Sequence, residues 1–157
     1  MRLIALLLLL GMAVLGLGGC GTPSYRGYKY KPYKVRGVTY YPLAPSEALG
    51  YVETGTASHY QVGSYLFPGR TAIGEKMTPS TECAAHKTLP LPCRIRVTNL
   101  ANGRSLVVRV NDRGPFVGGR MLDVSGKVAK KLDFHRAGLT RVRIEVLSVG
   151  DGRHRLR

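Results

Sequence analysis

The sequence predicts a small, mostly β domain: a barrel of short strands carrying one or two short helices. Three observations point to it. Apolar and polar residues alternate with period two in several separate runs, glycine and proline turns divide those runs, and one short stretch carries a helical stripe. At 157 residues the chain has room for a single such domain once targeting and linker segments are set aside.

The first segment is not part of that domain. Met1-Arg2 brings a positive charge, and Leu3 to Leu17 is an apolar run interrupted only by glycine. As a helix it would span roughly 22 Å, against a hydrocarbon core of about 30 Å, so it matches an export signal better than a membrane span. Leu17-Gly18-Gly19-Cys20 resembles a lipobox, in which residues 1–19 are removed and Cys20 takes the lipid. Acyl chains contribute about 0.8 kcal/mol per buried CH₂, enough for several chains to hold the protein on a membrane. Gly21 after the cysteine, by resemblance to Gram-negative sorting, favours the periplasmic face of the outer membrane. Residues 20–52 combine tyrosine, proline and basic residues without an apolar period, and read as an extended or disordered tether.

The folded domain is expected over 53–149. Cys93, Ile95 and Val97 alternate with Arg94, Arg96 and Thr98, the pattern of a half-buried strand. Leu106, Val108 and Val110 repeat it, and Asn102-Gly103 between the two runs predicts a hairpin whose second strand ends at Asn111. A third strand around Met121–Val124 leads into Ser125, the expected N-cap of a short helix with Val128 and Leu132 on one face, and Gly138 ends that segment. The last strand, Arg141 to Val149, points Val142, Ile144 and Val146 inward. Residues 150–157 read as a basic tail.

Lys and Arg total 24 against 9 acids, a net charge of +15. That suits a polyanionic surface, and export makes nucleic acid an improbable partner. With Cys20 lipidated, Cys83 and Cys93 remain, and an exported chain favours a disulfide between them. Its loop of about ten residues would contribute about 3 kcal/mol and hold His86 inside it. A zinc site on Cys83, His86 and Cys93 has neither a standard spacing nor a fourth ligand. No cofactor and no metal are expected.

Five segments occur in one order: Thr56-Ala57-Ser58-His59-Tyr60, Thr71-Ala72-Ile73-Gly74-Glu75, Ala84 to Pro90, Val97 to Arg104, and Val110-Asn111-Asp112-Arg113-Gly114-Pro115-Phe116. The series resembles the rare lipoprotein A family across roughly Gly55 to Val146. The resemblance implies a six-stranded double-psi β-barrel and a lytic transglycosylase that cuts peptidoglycan glycan strands, leaving 1,6-anhydro ends. It implies a monomer whose partners are those strands and, through its anchor, a membrane. Many relatives append a carboxy-terminal glycan-binding repeat domain; none is expected here, and Ile73 departs from the small or polar residue expected before Gly74.

Glycosidic cleavage needs a carboxylic acid at the leaving oxygen, and the domain offers Glu53, Glu75, Glu82, Asp112, Asp123, Asp133 and Glu145. The resemblance carries onto Glu75, His86 and Asp112. Asp112 is the expected general acid, protonating the glycosidic oxygen and then taking a proton from the sugar's hydroxymethyl group. Glu75 is the charge expected to tune it, His86 orients the acid or holds sugar, and Arg113 binds substrate oxygens or pairs with a neighbouring acid. Two other functions compete: a non-catalytic, expansin-like wall-binding or wall-loosening protein on the same barrel, and a hydrolase using two carboxylates and water.

Overall fold

A computed structural model describes residues 29–150 and 154–155. The export signal, Cys20 and the first residues of the expected tether lie outside these. The chain runs through β1 (Tyr33–Val35), β2 (Val38–Tyr40), helix α1 (Pro45–Ala48), β3 (Val52–Tyr60), β4 (Gly69–Arg70) and β5 (Lys76–Met77). It continues through β6 (Cys83–His86), β7 (Cys93–Asn99), β8 (Ser105–Asp112), β9 (Arg120–Ser125), helix α2 (Gly126–Lys131), β10 (Leu139–Val149) and β11 (His154–Arg155). Among the described residues no helix is long and apolar enough to cross a membrane.

Six strands close into the barrel in the order β10-β3-β9-β6-β8-β7, with β7 pairing back onto β10. Two of the pairings are parallel, β3 with β9 and β6 with β8, and the others are antiparallel. A closed sheet has no free edge, and each strand turns alternate side chains inward. Ile95, Val97, Val108, Val110, Leu122, Val124, Val142, Ile144 and Val146 are all buried in one core. The expected strands are present, slightly longer at their ends. Gly103 takes the positive φ its turn requires (+74°), and the Ser125 hydroxyl caps α2 by accepting from the Val128 N–H. The helix stops at Lys131, seven residues before Gly138, because Asp133 already adopts a left-handed φ of 60°.

The tether expectation is corrected over 29–52. Lys29 exchanges backbone hydrogen bonds with Leu91, the Leu43 N–H donates to the Thr88 carbonyl, and Ala48 is buried in the core. β1 and β2 form a hairpin turned by Arg36-Gly37, both at positive φ. Tyr33 stacks on Tyr40 at 5.3 Å and meets Phe116 edge-on at 6.4 Å. Tyrosines that looked solvated in a polar stretch pack as a small aromatic cluster against the barrel. The tail is corrected as well, since β11 pairs antiparallel with the end of β10.

The expected disulfide is absent. Cys83 pairs with Arg109 on one side of β8 and Cys93 pairs with Val110 on its other side. Two strand spacings, about 9–10 Å, separate them, beyond the roughly 7 Å a disulfide can span. Both are buried free thiols. Burial pushes Cys93 up to about 12, and it also raises Cys83, whose Sγ lies 3.1 Å from the Tyr60 hydroxyl.

Candidate active site

Asp112 ends β8, where the chain leaves the barrel through Gly114-Pro115. Its Oδ1 accepts two backbone N–H groups, from Ala72 and from Arg113, each at 2.8 Å. Among the described residues no hydrogen bond reaches Oδ2, so one oxygen is fixed and the other is left for a ligand.

The loop that supplies Ala72 is itself braced. The Thr71 N–H donates to the Glu75 carbonyl at 2.9 Å, the Gly74 N–H to the Thr71 carbonyl at 2.9 Å, and the Glu75 N–H to the Thr71 hydroxyl at 3.1 Å. Glu75 then pins this turn to β8. Its Oε1 accepts from Arg109 Nη2 at 2.6 Å and its Oε2 from Asn111 Nδ2 at 2.7 Å. The pair is partly exposed, with 24% of the Arg109 side chain and 36% of the Glu75 side chain accessible. The expectation that Glu75 acts on Asp112 as a bare negative charge is corrected: a guanidinium faces that carboxylate in a forked contact. Glu75 instead holds the turn that holds Asp112.

His86 is buried, and its Nδ1 accepts the N–H groups of Thr88 and Leu89, both at 3.1 Å. That places the ring hydrogen on Nε2, which donates to Glu53 Oε2 at 3.2 Å. The Tyr51 hydroxyl donates to the same oxygen at 3.1 Å. Glu53 is held below the ordinary carboxylate range, first by the His86 hydrogen bond. His86 makes no hydrogen bond to Asp112; it fixes residues 86–89 and borders a cavity of about 350 Å³ with Glu53, Lys87 and Arg120. With both ring nitrogens engaged, it is also no partner for Cys83 or Cys93 around a metal, and among the described residues no three His, Cys, Asp or Glu side chains converge as ligands.

Arg113 acts as a brace. Its Nη1 donates to the carbonyls of His86, Lys87 and Leu89, and its Nη2 to that of Lys29. The guanidinium lies 5.1 Å from the Tyr33 ring, and burial lowers its pKa. Through these contacts Arg113 binds the 29–41 segment, the His86 loop and, by its backbone, Asp112. Lys29, Lys31, Tyr33, Ala72 and Arg113 line a second cavity of about 370 Å³ beside the acid. Lys29 Nζ donates to the Ala72 carbonyl. Tyr65, Leu66 and Phe67 are exposed in the loop leading into β4.

Sequence reasoning passed over several groups that the barrel brings to this face. Ser58 and Tyr60 come from β3 and Asp123 from β9; the Ser58 hydroxyl donates to Asp123 Oδ1. Arg109 and Asn111 look like alternating strand residues, and only the fold of the 71–75 turn makes them partners of Glu75. The signal within reach was the Ser58-His59-Tyr60 segment, whose period-two spacing puts Ser58 and Tyr60 on one face.

Comparison with known proteins bears on this geometry. The lytic transglycolase family matches residues 52–144. An endolytic peptidoglycan transglycosylase RlpA of Rickettsia bellii (strain RML369-C) is 48% identical over 127 residues, covering 78% of this chain and 54% of that protein. The Pseudomonas aeruginosa (strain UCBPP-PA14) protein of the same name is 48% identical over 123 residues, covering 78% of this chain and 35% of that one. The chain thus spans about half the length, or less, of these relatives. Among solved structures, apo Clavibacter michiganensis expansin superposes with a TM-score of 0.51 at 18% identity, covering 65% of this chain and 53% of that one. Streptomyces papain inhibitor superposes with a TM-score of 0.50 at 21% identity, covering 62% of this chain and 96% of that one. At those identities the likeness speaks for the barrel alone. Six strands closed with two parallel pairings, and a family match running from the start of β3 into β10, place the chain in the lytic transglycolase family of double-psi β-barrel domains.

Proposed function

We propose that this domain cleaves peptidoglycan glycan strands endolytically as a lytic transglycosylase, between N-acetylmuramic acid and N-acetylglucosamine, with Asp112 as the proton donor to the glycosidic oxygen. The observation that carries the reading is the Asp112 carboxyl itself. Two backbone N–H groups fix Oδ1 and leave Oδ2 free, beside a cavity with basic walls. An acid held in one orientation loses little entropy on meeting a bound strand. Glu75, His86 and Arg113 act as positioning residues: each holds backbone that in turn holds Asp112 or borders the cleft. Lys29 and Lys31 complement the carboxylates that peptidoglycan carries. The lipid anchor at Cys20, a place on the periplasmic face of the outer membrane and a monomeric state belong to the same proposal.

The test is product analysis on purified sacculi. Release of 1,6-anhydro ends by the wild type is expected, and Asp112→Asn should lower it by about 10² to 10⁴ while melting temperature and sacculus binding hold. Reducing ends would point to a hydrolase. Binding without release would point to an expansin-like wall protein. Glu75→Gln keeps the shape but loses the charge opposite Arg109, and a smaller loss is expected of it.

A further inference from the structure

The strands that carry the site lie side by side: Asp112 ends β8, His86 ends β6 and Arg120 opens β9. Round the closed ring β10-β3-β9-β6-β8-β7, β10 is three strands from β6 in either direction. The surface formed by β10 and its neighbour β7 is therefore the back of the barrel, facing away from the cleft.

That back is an arginine array. Period two turns Ile95, Val97, Val142 and Ile144 into the core and leaves Arg94, Arg96, Arg141 and Arg143 exposed outside. Glu145 is the one acid in the two strands, and it pairs with Arg96 at 2.7 Å. Among the described residues no ion pair engages Arg94, Arg141 or Arg143. The register sets Arg143 opposite Thr98, Glu145 opposite Arg96 and Ser148 opposite Arg94. Same-face neighbours lie about 7 Å apart along a strand, so the four guanidiniums span about 20 Å. Like charges on one sheet face repel, and an external anionic surface relieves that repulsion.

Aliphatic side chains stand exposed among the arginines. Val107 of β8 pairs with Arg96, Val52 of β3 pairs with Glu145, Leu139 precedes Arg141 on the same face, and the Leu100 N–H donates to the Arg141 carbonyl at 2.9 Å. None of these residues lines the cavities described above. A face without a groove does not enclose a single strand; it suits a broad surface. Guanidiniums hold phosphate oxygens in forked pairs, and basic residues drawn to anionic lipid, with aliphatic groups reaching the acyl boundary, give peripheral binding to a bilayer.

Resting on the lipid-anchored reading, we propose that the outer face of β7 and β10 docks on an anionic lipid surface through its arginines. The occupant is the bilayer that holds Cys20: the chain of about nine residues from Cys20 to Lys29 spans at most about 30 Å, which keeps the barrel within reach of the headgroups. Docked by its back, the barrel turns the cleft over β6 away from the membrane and toward the peptidoglycan.

The test is co-sedimentation of the chain from residue 20, with Cys20→Ser so that no acyl chain contributes, on vesicles of phosphatidylglycerol with phosphatidylcholine and on phosphatidylcholine alone. Binding to the anionic vesicles only is expected, and about 500 mM NaCl should abolish it. Each basic residue near such a surface is worth roughly fivefold, so Arg94→Gln, Arg141→Gln and Arg143→Gln together should weaken binding about 10²-fold with melting temperature unchanged. Removing three exposed lysines on the elements around the cleft, by Lys31→Gln, Lys34→Gln and Lys76→Gln, should weaken it less than about threefold. Equal binding to neutral vesicles, or an equal loss in the two triple variants, overturns the proposal. Unchanged vesicle binding by the arginine variant overturns it as well; if that variant loses sacculus binding instead, the array serves peptidoglycan carboxylates. A native protein without acyl mass on Cys20 would separately overturn the anchor reading.

Discussion

Glu53 illustrates how a residue outside the expected site couples folding to acid. Its carboxyl is held down chiefly by the hydrogen bond from His86, so folding favours its ionised form. A depressed folded-state pKa contributes stability above the unfolded value, near 4.5, that is lost as pH falls through the lower folded value. Melting temperature should therefore drop below about pH 4.5, and Glu53→Gln should flatten this part of the profile. Such a variant with an unchanged acid limb would show that other carboxylates dominate. The cysteines give a second prediction at this scale. Without reductant, Cys83 and Cys93 should each take one alkylating group after unfolding and resist it when folded; a mass two hydrogens light would restore the disulfide. The export signal favoured that bond, whereas the path of β8 between the two thiols is a property of topology alone. The position of Asp112 was legible: it stands at the break of a period-two run, and it ends β8 with Oδ1 held by two backbone N–H groups. The pairing of Ala85 with both Asp112 and Asp123 was not, since it joins three strands distant in the chain.

At the scale of elements, periodicity reported the barrel strands well because their inner faces are apolar and their outer faces basic. It failed over residues 29–52, where burial is achieved by aromatic stacking and backbone pairing to a loop, without any repeating apolar period. Only Arg36-Gly37 hinted at a hairpin. Tyr33 is the residue on which that element depends, through Tyr40, Phe116, Arg113 and a 2.8 Å hydrogen bond from its hydroxyl to the Lys87 carbonyl. Tyr33→Ala should cost about 1 to 3 kcal/mol in urea unfolding. It should also reduce turnover, because Arg113 loses its cover and its N–H helps hold Asp112. Full activity in a destabilised Tyr33→Ala protein would separate the hairpin from the cleft.

For the molecule as a whole, charge is distributed unevenly. Arg94, Arg141 and Arg143 are exposed on the outside of β7 and β10, where Glu145 pairs with Arg96 at 2.7 Å. With a net charge of +15, sacculus binding should weaken steeply between about 50 and 500 mM NaCl, as screening shortens the Debye length to a few ångströms. Binding indifferent to salt would assign recognition to apolar and neutral sugar contacts. The attachment of Lys29 beside the acid also fixes a working radius. Were residues 20–52 all free, some thirty residues could extend to about 100 Å. Since the chain joins the barrel at Lys29, bonded to Leu91 and Ala72, a lipid on Cys20 leaves about nine residues of slack, roughly 30 Å at full stretch. Under the proposed anchoring and activity the scissors would be hinged at the blade, with cutting confined to the layer of wall lying nearest the membrane.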